Sequence, residues 1–189
     1  RAGLHIVPPE RRGGFDSWVG YENNNSQWDC WVHGGEGDGA FQYRLPGYET
    51  DCMTDLLLDY VKGRKDADEP FFAVLSVQPP HDPYVAPADY MARHNPAGAY
   101  AMIENLDWNV GRVMKLLEEM NIADETYVIF FSDHGDMHGS HGQLRKMTPY
   151  EEAIRIPFIV YRGPNRYNHR LGEDGAVVNH VDIAPTTLG

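Results

Sequence analysis

Residues 71–77 read Phe71-Phe72-Ala73-Val74-Leu75-Ser76-Val77, and residues 126–132 read Thr126-Tyr127-Val128-Ile129-Phe130-Phe131-Ser132. Each is an apolar run of strand length without two-residue alternation, the pattern of a strand covered on both faces within a parallel sheet. Pro70 precedes the first run and Gln78-Pro79-Pro80 follows it, so the chain must leave the strand there. Between the two runs, over residues 97–120, Ile103, Leu106, Val110, Val113, Leu117 and Met120 recur at three- and four-residue spacing. That spacing predicts a long helix with those side chains on its buried stripe. Strand, long helix and strand in this order make a right-handed crossover, and the two strands are expected as parallel neighbours or near-neighbours. The expected fold class is α/β, a mostly parallel open sheet flanked by helices.

Outward from this unit the signals weaken. Residues 156–161 form a third strand candidate, bounded by Pro157 near the start and Gly163-Pro164 after the end, and residues 177–181 a weaker fourth. Asp182 is placed to cap a short helix starting at Ile183. Toward the N-terminus, Met53, Leu56, Leu57, Tyr60 and Val61 predict an amphipathic helix over residues 50–62, with Thr50 or Asp51 as N-cap and Gly63 as the stop. Residues 1–49 are rich in Gly, Asn and Trp and read mostly as loop. No repeat, low-complexity tract or convincing linker divides the 189 residues, and a single core is expected.

Composition excludes some classes of function. The formal net charge is −12, which disfavours a nonspecific nucleic-acid binder, because such proteins need a basic surface. No apolar run approaches the ~20 residues of a membrane helix, and the first residues lack the apolar core of a signal peptide. Two cysteines, Cys30 and Cys52, leave the redox compartment open.

In open α/β sheets ligands bind beyond the carboxyl ends of the strands, so the segments starting at Gln78 and Asp133 draw attention. The second reads Asp133-His134-Gly135-Asp136-Met137-His138-Gly139-Ser140-His141-Gly142, two carboxylates and three imidazoles in ten residues. The glycines oppose a helical metal site and favour a loop that brings backbone close to a ligand. Asp133 and His134, fixed by the strand before them, are candidate ligands for a divalent cation; the plainer alternative is an Asp that caps a turn and a His packed beneath the loop. His81, flanked by Pro79, Pro80 and Pro83, is a candidate proton donor or anion contact, or a ring bonded to a loop carbonyl. Lys146, with Arg145 behind it, brings a cation toward the candidate metal ligands and is suited to an anionic substrate, although lysines are more often solvated.

These segments together resemble the sulfatase family of the alkaline phosphatase superfamily. The resemblance lies in Phe71-Phe72-Ala73-Val74 with Pro79-Pro80-His81-Asp82-Pro83, in Phe131-Ser132-Asp133-His134-Gly135-Asp136, in His141-Gly142, and in Arg145-Lys146 through Pro149-Tyr150-Glu151-Glu152 to Arg155-Ile156-Pro157. Weaker agreement comes from Arg11-Arg12-Gly13-Gly14-Phe15-Asp16 and Val181-Asp182-Ile183-Ala184-Pro185-Thr186. The resemblance implies hydrolysis of a small-molecule or carbohydrate sulfate ester. It implies Asp133 and His134 as metal ligands, His81 as a sulfate contact or acid near the leaving oxygen, and Lys146 as a sulfate contact. The implied cofactors are a divalent metal, calcium first and manganese or zinc as alternatives, and a formylglycine nucleophile made from Cys or Ser.

The family's nucleophile pattern, Cys or Ser followed by x-Pro-x-Arg, matches neither cysteine nor any of Ser17, Ser26, Ser76, Ser132 and Ser140. The first acidic metal-ligand pair and the Gly-Lys-x-His segment are missing too. Residues 1–189 are therefore expected to be one partial catalytic domain, without the nucleophile region or the C-terminal subdomain, and inactive alone. The alternatives are a phosphodiesterase or phosphonate monoester hydrolase of the same superfamily, which His134 leaves room for, and a noncatalytic anion-binding homologue. Compartment, oligomeric state and the identity of the ester stay open.

Overall fold

The computed structural model describes residues 5–95, 97–163, 175 and 178–188 of the chain, which group into two compact units, Arg1–Met120 and Asn121–Gly189. In the first unit, β1 (Val19–Gly20), β2 (Trp31–Gly34) and β3 (Phe41–Arg44) form an antiparallel sheet in the order β1-β2-β3. Its register sets Val19 opposite Gly34 and Trp31 opposite Arg44. The expectation of mostly loop before residue 50 overlooked this sheet, because strands of two to four residues are too short to display an alternation. Gly34 permits its closest packing, since a Cβ there would lie 2.4 Å from the Trp18 carbonyl oxygen.

Helix α1 (Glu49–Gly63) buries Met53, Thr54, Leu58 and Val61 and ends at Gly63 as the sequence predicts. Its start differs: Tyr48 is the N-cap, without a side-chain cap. The Glu49 amide donates to the Gln27 carbonyl (2.8 Å), and the Thr50 hydroxyl turns to the Glu49 carboxylate (3.0 Å), so neither Thr50 nor Asp51 is needed as a cap. Met53 joins Cys30, Val32 and Leu45 in a core onto which Leu75 and Val77 pack.

Residues 71–77 correct the expected buried strand. They pair with no strand among the described residues, and Phe72 and Val74 are 62% and 61% exposed. Leu75 and Val77 are covered by the core, whereas on the opposite face Phe72 stacks on Phe15 and stays largely exposed.

Helix α2 (Ala88–His94), unforeseen in the sequence, packs on α3 (Gly98–Glu119) around Ala86, Ala101 and Met102. The bounds of α3 match the predicted helix, but its buried face does not match the predicted stripe. Ala101, Met102, Asn105, Asn109, Leu116 and Leu117 are buried, and Ile103 is exposed. The apolar pattern misled because two amides are the buried polar groups here: Asn105 Nδ2 and Asn109 Nδ2 donate to Asp51 Oδ1 of α1 at 2.9 and 2.7 Å. Once each has a partner, burial of these groups is tolerated.

In the second unit, β4 (Tyr127–Phe131) pairs with β5 (Phe158–Arg162), with α4 (Glu151–Ile154) between them in sequence and α5 (Ile183–Leu188) at the end. Both predicted strands exist within two residues of their expected positions. Their pairing is antiparallel, with Tyr127 opposite Arg162 and Phe131 opposite Phe158, and no parallel pair occurs among the described residues. Tyr127 and Ile159, each 56% exposed, are not covered as a two-faced strand would require. Of the fourth strand candidate, residue 177 lies outside the described residues. Residues 178–181 are not strand: Asn179 caps the turn His180–Asp182 by accepting from the Val181 amide (2.9 Å), and Asp182 accepts from the Asn179 amide (2.8 Å). Asp182 thus completes a capping box one turn before α5.

Candidate active-site segments

In the first unit, the segment after residue 77 turns sharply at Gln78, whose carbonyl accepts from the His81 amide at 2.9 Å. The Pro79-Pro80 and Asp82-Pro83 peptides are cis. His81 Nδ1 lies 2.6 Å from the Asp82 carbonyl oxygen and must donate to it, which leaves Nε2 as the ring atom free for other chemistry. The ring is held as the plainer sequence reading anticipates and still offers one nitrogen. Behind this turn Glu49 is fully buried, receiving Tyr21 Oη at 2.7 Å and Thr50 Oγ1 at 3.0 Å. Burial raises the Glu49 carboxyl above its ordinary value despite these donors, and burial, followed by the nearby Glu49 charge, raises the Tyr21 phenol.

In the second unit, β4 delivers Asp133 and His134 directly. The Ser132 hydroxyl donates to the His134 carbonyl (2.8 Å), and the His134 amide donates to Asp133 Oδ1 (2.9 Å). His134 Nδ1 lies 2.8 Å from the Gly135 carbonyl, which accepts its proton. Nε2 therefore carries the lone pair of the neutral ring, and it stands 3.2 Å from Asp133 Oδ2. Asp133 is largely exposed, so a carboxylate oxygen and an imine nitrogen are presented side by side to solvent.

The loop beyond is fixed at its base by two backbone bonds, Gly135 N to Ala153 O and Met137 N to Arg145 O, each 2.8 Å. Gly135 is required by space, because a Cβ would lie 2.0 Å from the Glu152 carbonyl oxygen. Fully buried Met137 anchors the loop from within, and the Thr148 hydroxyl contacts its sulfur at 3.2 Å. His138, His141 and Arg145 all adopt positive φ, so the segment is a tight loop and not a helix, as its glycines predict. The three imidazoles are consequently separated: His134 faces Asp133, His138 faces Asp136 at 3.7 Å, and His141 faces Glu152 at 3.5 Å while stacking on Tyr150.

Lys146 follows Arg145, whose carbonyl closes the loop base. It is half-buried, and its ammonium has no partner among the described residues. The sequence reading left out His180, whose Nε2 lies 2.9 Å from the Ser132 carbonyl oxygen beside β4; the Asn179-x-x-Asp182 capping pattern was its only local signal.

A hard divalent ion takes six or more donors, and no group of three or more His, Cys, Asp or Glu side chains suited to a metal occurs among the described residues. Asp133 and His134 fit as part of such a shell: their donor atoms are adjacent, accessible and fixed by backbone bonds.

A model of the sulfatase family matches residues 6–189. A sulfatase of Formosa agariphila is 34% identical over 75% of the chain, which spans 29% of that relative. An ulvan-active sulfatase of the same organism is 26% identical over 97% of the chain, which spans 40% of it. Among solved structures, a Bacteroides fragilis protein assigned to the sulfatases (yidJ) superposes with a TM-score of 0.74 at 31% identity, covering 81% of the chain and 39% of that protein. The chain thus spans well under half the length of these relatives. The solved neighbour shares the alkaline phosphatase-like α/β fold, which agrees with the predicted class although only small antiparallel sheets form among the described residues.

Proposed function

We propose, from the premise that this chain belongs to the sulfatase family, that it is part of the catalytic domain of a sulfuric ester hydrolase and carries one half of the metal shell together with the groups that handle sulfate charge and the leaving alcohol. The observation that carries this reading is the Asp133–His134 pair, whose Oδ2 and Nε2 lie 3.2 Å apart with the opposite ring nitrogen committed to Gly135. Asp133 and His134 would hold a divalent cation, calcium being the first to test, and manganese or zinc the alternatives that an imidazole donor suits. When bound, that ion supplies positive charge to the sulfate oxygens.

The remaining roles belong to side chains of this chain. Lys146, half-buried and without a counterion among the described residues, places an ammonium against a sulfate oxygen. The His81 imidazolium donates its Nε2 proton to the departing alcohol oxygen and keeps the Nδ1 proton on the Asp82 carbonyl oxygen, which sets the ring orientation. The nucleophile, a formylglycine in this family, has no Cys/Ser-x-Pro-x-Arg motif in these 189 residues, so residues 1–189 are one partial domain without turnover of their own. The ulvan-active relative supports a sulfated carbohydrate as the substrate class.

The test is release of the phenol from paired aryl sulfate and aryl phosphodiester substrates by a protein carrying this chain together with the nucleophile motif. Preferential hydrolysis of the sulfate is expected, with Lys146→Ala lowering kcat/KM about 10²- to 10³-fold and His81→Ala about 10²- to 10⁴-fold. Preferential phosphodiester cleavage, or full activity in both variants, would overturn the reading.

A further inference from the structure

A second feature of the first unit has no part in that chemistry. Arg12 is only 8% exposed. Its Nε donates to the Val7 carbonyl (2.9 Å), its Nη1 to the Gly35 carbonyl (2.7 Å), and its guanidinium lies 5.0 Å over the Trp18 ring. Among the described residues it has no carboxylate partner, although a buried charge is normally paired. Arg12 also lines a second hollow together with Asp16 and Glu36, and it forms an ion pair with neither.

The neighbouring side chain is incomplete in the same way. His33 is 1% exposed and also packs against Trp18, ring centroids 5.0 Å apart. Its Nε2 accepts from the Val7 amide at 2.8 Å, so the ring proton resides on Nδ1, and that buried N–H has no hydrogen-bond partner among the described residues. Burial, and secondly the Arg12 charge, lower the His33 pKa and keep the ring neutral with this proton in place. An unsatisfied buried donor beside an unpaired buried guanidinium calls for an acceptor carrying negative charge.

Arg12 and His33 both line a cavity of about 300 Å³, bounded also by Phe41 and Gln42. Phe41 is 40% exposed and lies against Gly34, where a Cβ would come within 2.5 Å of its ring. The hollow therefore offers a fixed cation, an N–H donor, an amide and an exposed aromatic face.

We infer that the hollow bounded by Arg12, His33, Phe41 and Gln42 is a binding subsite for a sugar unit bearing an oxyanion, either a uronate carboxylate or a sulfated hydroxyl. Arg12 and the His33 Nδ1–H take the oxyanion, Phe41 covers an apolar face of the ring, and Gln42 meets a hydroxyl. The sugar part rests on the proposed carbohydrate sulfatase reading; the oxyanion contact does not.

The test is NMR titration of the 189-residue chain with D-glucuronate, D-glucose 6-sulfate, neutral D-glucose and inorganic sulfate. Saturable shifts of the His33 Nδ1–H and the Phe41 ring are expected with both anionic sugars and not with glucose, and inorganic sulfate should move His33 alone. Arg12→Gln should weaken anionic sugar binding by about tenfold or more. If that variant fails to fold, Phe41→Ala at the rim should abolish the preference for glucuronate over inorganic sulfate. Equal shifts with glucose, or none at His33 with any anion, would overturn the subsite; a response at His33 to sulfate equal to that for the sugars would overturn its sugar character. Each outcome is independent of turnover, so failure of the subsite and failure of the sulfatase reading are distinguishable.

Discussion

His134 Nε2 stands 3.2 Å from Asp133 Oδ2, while Nδ1 of the same ring lies 2.8 Å from the Gly135 carbonyl. The carbonyl claims the ring proton, so the neutral imidazole directs its lone pair to the neighbourhood of a carboxylate oxygen. Two electron-rich atoms held this close favour a cation against both. The backbone bonds at Asp133 Oδ1 and at Gly135 N maintain the approach.

Gly135→Ala should damage this arrangement without touching Asp133 or His134. The added methyl would meet the Glu152 carbonyl oxygen at 2.0 Å, a backbone atom that cannot swing away. The loop base must open, which costs about 1–3 kcal/mol by analogy with other overpacked sites. Chemical denaturation should show a lower midpoint for the variant; an unchanged midpoint would contradict the packing described.

Glu49 predicts a pH dependence. Burial raises its carboxyl in the folded chain above the ordinary glutamate value of 4.5, so the folded state binds the proton more readily than the unfolded one. The resulting stabilisation is complete below 4.5 and is lost as pH rises from 4.5 through the folded value. Glu49→Gln cannot titrate, and the unfolding free energy of the wild type relative to this variant should fall across that window. A pH-independent difference in urea midpoints would contradict the buried, raised carboxyl.

The buried face of α3 is tested by a pair of substitutions. Asn109→Ala removes a 2.7 Å bond to the Asp51 carboxylate and should cost about 1.5–3 kcal/mol. Ile103→Ser, on an exposed position, should stay within about 0.5 kcal/mol of wild type. The reverse order in thermal or urea unfolding would restore the apolar stripe as the buried face.

The two long helices, α1 and α3, were legible in the sequence because a 3.6-residue period persists over several turns: α3 begins and ends within one residue of expectation. Its rotation was not legible, since an apolar stripe does not include Asn105 and Asn109, whose burial depends on Asp51, more than 50 positions away, accepting from both. Strand positions at β4 and β5 were legible from apolar runs, and their antiparallel pairing was not, because direction is set by which partner is present. Residues 71–77 carry a two-faced strand pattern, yet Phe72 and Val74 are largely exposed.

The candidate site was legible to the extent that chemistry is local. Asp133-His134-Gly135 sits at a strand end with glycines where a loop must approach backbone closely, and the structure sets Asp133 Oδ2 and His134 Nε2 3.2 Å apart there. The division of His138 and His141 between Asp136 and Glu152 depends on positive φ values at His138 and His141, which composition does not announce. His180 reached the end of β4 through a capping turn whose sequence carried no catalytic signal.

The most direct test of the central claim is a titration of the chain with Mn²⁺, read by paramagnetic broadening of the histidine ring signals. The chain has nine histidines, and weak binding suffices to broaden a ring that ligates the ion. Asp133 and His134 as a metal pair predict that the His134 signal broadens before the other eight, and that Asp133→Asn removes this selectivity. Broadening of His134 no earlier than the others, or unaffected by Asp133→Asn, would contradict the assignment.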